Sequence, residues 1–166
     1  MKKYRRLKTK NHQIKVLNLH RAYKVNESLV KKIAVSILRD RISNNCSELG
    51  FIFLDDRKIR ALNKKYKCED RATDVLSFDL SASPAHKAVP LLGEIFISID
   101  KARKNSKIFD TSLEEEFVLY VIHGILHLSG YNDESPKERV RMERKQEEIL
   151  RNLCRKENLS TVLTRR

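Results

Sequence analysis

At 166 residues, with 40% hydrophobic content and a formal charge of +13, the chain has enough apolar material for one globular core and is neither collagen-like nor wholly disordered. No apolar run is long and pure enough to span a bilayer, so no membrane partner is expected. Three widely spaced cysteines, Cys46, Cys68 and Cys154, argue against a disulfide frame and a Cys-type zinc finger, and fit free thiols in a reducing, cytoplasmic setting.

The chain opens on a basic stretch, "MKKYRRLKTK", with no signal-peptide core behind it. "IKVLNL" (14–19) alternates as a strand does. Asn26 then caps a helix whose Leu29, Val30, Ile33, Ala34, Ile37 and Leu38 share one face. "SNNCS" turns the chain, and "LGFIFL" (49–54) reads as a buried strand. "DDRKIRALNKKY" is a short helix with Ile59, Leu62 and Tyr66 inward. "TDVLSF" (73–78) is a third strand, "SASPAHKAVP" a loop, and "GEIFISI" (93–99) a half-buried strand. Helices follow. Asp100 opens "KARKNSKIF", Thr111 with Glu114 forms a capping box, and Ser135, Pro136 and Glu138 start a last long helix. "RKENLSTVLTRR" closes the chain as a loosely held basic tail. The expected fold class is α+β: one domain over 1–166, a small mixed β-sheet with packed helices, and basic N- and C-terminal tails.

The segment 117–128, "FVLYVIHGILHL", is apolar nearly all round, so its helix belongs inside the domain. Imidazoles there need partners. His123 and His127 lie four apart and face the same way, as two nitrogens meeting one ion must. Two separately hydrogen-bonded core histidines are the plainer alternative. Gly130 permits a left-handed exit, and Asp133 follows where a returning loop brings a third ligand, the layout of a metzincin-type metal loop. Zinc peptidases carry Glu after the first His; here Gly124 stands there, which argues against peptide hydrolysis by that route.

These residues carry a resemblance. "HGILHLSGYND" is similar to the "HGxLHLxGYDH" of the YbeY family, "LNKKYKCEDRATDVLSF" (62–78) to its "LNxxYRxxDxPTDVLSF", and "LLGEIFIS" to its "LGDIxIS" strand. The resemblance implies a zinc-dependent, single-strand-specific endoribonuclease of 16S rRNA 3′-end maturation and ribosome quality control. It implies one Zn²⁺ per chain, rRNA and the small ribosomal subunit as partners, and ribosome-associated proteins as further ones. The first two ligands carry over to His123 and His127. The family's third His falls on Asp133, its Arg on Lys67 and its Pro on Ala72.

The expected site is therefore His123, His127 and Asp133 on the metal, with Lys67 as a phosphate clamp and His123 and Lys67 as the catalytic pair. Thr73, Asp74, Ser77 and Glu94 are candidates for lining the cleft or orienting its ligands, or for plain strand hydrogen bonding. The net charge attracts polyanions, with nucleic acid the usual candidate and a merely solvated basic surface the alternative; charge alone does not separate RNA from DNA or an anionic membrane. The rival function is a non-catalytic, metal-stabilised ribosome-assembly or RNA-binding factor.

Overall fold

The computed structural model describes residues 13–41, 47–81 and 91–166. The basic stretch 1–10, and most of the expected turn at 43–47 and loop at 81–90, lie outside the described residues. In chain order the elements are β1 (Gln13–Asn18), β2 (Tyr23–Val25), α1 (Glu27–Arg41), β3 (Ser47–Leu54), α2 (Asp56–Lys67), β4 (Val75–Asp79) and β5 (Leu91–Ser98), then α3 (Ile99–Phe109), α4 (Leu113–Leu128), α5 (Pro136–Lys156), a 3-10 turn (Leu159–Thr161) and β6 (Leu163–Arg165).

β1, β3, β5 and β4 form one sheet in that order, parallel except for the β4–β5 pair, so the expected α+β class with a small mixed sheet holds. The two central strands are apolar at almost every position because both faces of the sheet are covered. Phe51, Phe53, Ile95 and Ile97 enter a core shared with α1 and α4. Leu54, with Ile52, Phe78 and Phe96 packed around it, joins Ile59 of α2 in a second cluster. In α4, Phe117, Val118, Val121, Ile122, Ile125 and Leu126 are all fully buried, which makes it the central helix that its composition suggests.

Four local expectations are corrected. Ser98, not Asp100, caps α3: its hydroxyl accepts from the Lys101 N–H, while the Asp100 carboxylate accepts from the Asp56 N–H instead. The capping box of α4 is Ser112 with Glu115, one residue later than expected, because Thr111 donates to Glu116. Tyr66 is 54% exposed. Buried Asn63 takes the inward position near the end of α2, donating to the Arg71 carbonyl at 3.0 Å, and Tyr66 meets the edge of Phe78 and the Lys65 ammonium. The last segment is no loose tail. Leu159, Val162 and Leu163 are buried, and β6 pairs antiparallel with β2, a strand too short for its alternation to be read.

Candidate metal centre

α4 ends in a Schellman motif. The Tyr131 N–H donates to the Leu126 carbonyl and the Gly130 N–H to the His127 carbonyl, both at 3.0 Å. Gly130 sits at φ +88°, which its lack of a Cβ permits. The chain thus reverses one residue after α4's cap, and Asp133 returns beside the histidines before the capping box of α5 begins.

The two imidazoles are held from behind. His127 Nδ1–H donates to the Tyr131 carbonyl at 3.1 Å, and His123 Nδ1 lies 2.6 Å from Gln146 Oε1 of α5. A carbonyl oxygen only accepts, so each Nδ1 carries the hydrogen and each Nε2 presents a lone pair. The two Nε2 atoms face each other at 2.9 Å, with Asp133 Oδ2 at 3.9 Å from one and 3.7 Å from the other. One donor atom from each of the three side chains lies within 4.8 Å of the others.

Facing lone pairs repel unless a cation lies between them. A proton is disfavoured: burial lowers the pKa of His127 below the usual histidine value, and neighbouring His123 lowers it further. A tetrahedral ion bound at about 2.0–2.1 Å holds neighbouring donors roughly 3.3 Å apart, which lies between the short and long separations here. His127 also sits in the last turn of α4, where the helix dipole favours positive charge. The residues present therefore fit a metal ion. The back-side partners of the two rings are of the kind that fix the tautomer of a ligating histidine.

Two cavities flank the histidine pair. One, of about 240 Å³, is lined by Lys67, Ser77 and His127 among others; the other, of about 450 Å³, by His123, Asp133 and Asp74. Lys67, the last residue of α2, is near enough for its charge to lower the proton affinity of His127 further. Asp74 is held at the head of β4, accepting from Thr73 Oγ1 at 3.0 Å and the Val75 N–H at 2.8 Å. Ser77 Oγ donates to the Gly124 carbonyl at 3.4 Å, which ties β4 to α4. Glu94 is exposed and lines neither cavity.

Gly124 has a packing reason. A Cβ there would lie 2.4 Å from Ile95 Cγ2, so α4 rests directly on β5 at this point. The position that carries a peptidase's glutamate is turned into the sheet, with no room for a side chain. Gln146 went unnoticed in the sequence. It is one polar residue in a helix full of them, and its contact with His123 spans 23 positions, beyond any local periodicity.

The chain matches the family profile described as Endoribonuclease YbeY over residues 8–154. A curated relative of that name from Desulforamulus reducens is 37% identical over 146 residues, covering 83% of this chain and 95% of the relative. One from Petrotoga mobilis is 35% identical, covering 76% and 84%. One from an Anaeromyxobacter strain is 42% identical over 105 residues, and there the match spans 63% of this chain but only about half of the relative, 54%. The solution structure of TM1509 from Thermotoga maritima superposes with a TM-score of 0.59 at 26% identity, covering 89% of this chain and 95% of that one.

Proposed function

We propose, since this chain belongs to the endoribonuclease YbeY family, that it is a zinc-dependent endoribonuclease cutting single-stranded RNA, acting on 16S rRNA 3′ ends and in ribosome quality control in the cytoplasm. The observation that carries the reading is the pair of Nε2 lone pairs facing each other at 2.9 Å beside a carboxylate. His123, His127 and Asp133 would hold the ion, and the +13 charge would draw rRNA and the small subunit to the surface. Three protein ligands leave an open position, as catalytic rather than structural zinc sites do.

When bound, the ion supplies Lewis acidity to a phosphoryl oxygen. The rest falls to the chain. Gln146 and the Tyr131 carbonyl keep the imidazoles in one tautomer and one orientation. Asp133 offsets part of the positive charge. Lys67, at the mouth of the smaller cavity, offers an ammonium to a neighbouring phosphate as a point charge, without the fork of an arginine.

Purified protein should cut an unstructured RNA, lose that activity to a chelator and regain it with Zn²⁺. His123→Ala should abolish cleavage, and Lys67→Ala should weaken it while Lys67→Arg preserves it. Undiminished cleavage by the His123 variant, purified in parallel to exclude contaminating nuclease, would refute the reading. RNA binding without cleavage in the wild type would favour the non-catalytic assembly factor.

A further inference from the structure

The cavity of about 450 Å³ on the far side of His123 holds polar groups that neither the metal nor the phosphate uses. Glu116 is one. It lies seven residues before His123 on α4, roughly 10 Å along the helix axis. It is only 5% exposed and lines the cavity. Its Oε1 accepts from Thr111 Oγ1 at 2.8 Å, and among the described residues no donor is placed on Oε2. The second oxygen keeps its acceptor capacity for a donor that enters the cavity. Tyr120, one turn nearer the metal and 6% exposed, is the second. Its Oη accepts from Asn105 Nδ2 at 2.7 Å, and its own proton has no acceptor among the described residues. Phe109, at the end of α3, lines the same cavity and is 63% exposed, an aromatic face open to solvent.

We propose that this cavity is a nucleobase pocket selective for guanine, receiving a base of the RNA strand whose phosphodiester lies at the metal centre. The proposal rests on the RNA-cleaving reading. Glu116 and Asp74, whose charges both reach Tyr120, disfavour phosphate at that part of the cavity, away from His123, Asp133 and Arg139, so the strand meets it with a base and not with its backbone. An unstacked base on an aromatic face, read along its Watson–Crick edge, is the usual mode of single-strand recognition. Guanine alone presents two adjacent donors on that edge, N1–H and the N2 amine, to the two oxygens of one carboxylate. Adenine and cytosine set a single amine beside an acceptor, and uracil sets its N–H between two carbonyls; each would turn a lone pair toward Glu116. Arg139, which also lines the cavity and donates Nη2–H to the Asp133 carbonyl at 3.4 Å, carries further N–H donors that would serve guanine O6.

The test uses the full chain and the four free nucleosides, which carry no phosphate and need no cleavage. Calorimetric titration should show guanosine binding about tenfold or more tighter than adenosine, cytidine or uridine. Glu116→Gln keeps an acceptor for Thr111 and should remove that preference, while Phe109→Ala, at an exposed position that does not threaten the fold, should weaken all four. In cleavage of matched oligonucleotides, Glu116→Gln should erase a guanine preference without abolishing cutting elsewhere. Equal or absent binding of the four nucleosides, or a guanosine preference that survives Glu116→Gln, overturns the pocket. So does Mn²⁺ binding lost in Glu116→Gln without any nucleoside preference, which would make the cavity a second cation site. A protein that cuts RNA but ignores nucleosides refutes the pocket alone. One that binds guanosine but never cuts refutes the nuclease reading alone.

Discussion

Asp133 differs from a histidine in reach and in charge, and both matter at a site built around two neutral rings. Its carboxylate extends less far than an imidazole, so the loop after Gly130 must come close, and the 3.7 and 3.9 Å approaches to the two Nε2 atoms show that it does. Losing an outer partner of a ligand costs 10–100-fold in metal affinity as a rough rule, so losing the ligand itself should cost more. Asp133→Ala should therefore lower zinc affinity by more than about a hundredfold, read by competition with a chromophoric chelator. Thermal unfolding of the metal-free protein should be unchanged, since Asp133 is partly exposed and caps no helix. Equal affinities would remove Asp133 from the centre. At this scale the sequence was most informative: a spacing of four on an apolar helix, a turn glycine and an acid are all local signals. Gln146 and Glu116 were not legible, because a polar residue acquires meaning only from the neighbour that another element brings to it.

The contact of α4 with β5 at Gly124 fixes how the histidine-bearing helix lies on the sheet. Gly124→Ala should destabilise the protein by about 1–3 kcal/mol, since an extra methyl must displace Ile95 in a close-packed layer. In a double-mutant cycle with Ile95→Ala, part of that loss should return, and strict additivity of the two would mean that the helix simply slides. A second element-scale device runs along α2, whose Arg60 and Lys64 both donate to Asp70 in the loop that leads to β4. The Arg60 and Lys64 hydrogen bonds hold the Asp70 carboxyl at about 2, below its ordinary 3.8. A depressed carboxyl stabilises the fold fully above its ordinary pKa and loses that contribution as pH falls toward 2. The side chain is about half exposed, so salt should weaken the effect. NMR titration of Asp70 should give a midpoint near 2, moving up toward 3.8 in Arg60→Ala; an unmoved midpoint would break the assignment. Helices and long strands were read from periodicity with small errors at their ends. The capping box of α4 slipped by one because Thr111 and Ser112 are both able caps, and only tertiary contacts decide which one is free.

For the whole molecule, composition and element order were enough for the class of fold, but not for which strands pair. Nothing in the alternation of β3 says that β1 and β5 flank it, and nothing in three residues of β2 announces a partner at the far end of the described chain. That closing pair carries weight. Deleting residues 159–166 removes three buried apolar side chains, each worth about 1.5–3 kcal/mol, from a fold whose total margin is on the order of 5–15 kcal/mol. The truncated chain should show no cooperative thermal transition at 37 °C and should bind a hydrophobic dye, whereas a sharp transition near that of the full chain would show that the pair is ornamental. The same pairing sets an order of events during synthesis. As the chain leaves the ribosome, β2 and α4 are made well before β6, and long-range closures of this kind are slow. Until residues 159–163 have emerged, the part of the core that Leu159, Val162 and Leu163 fill stays open to water. The core around α4 is thus completed only when the last strand pairs with one made near the start of the described chain.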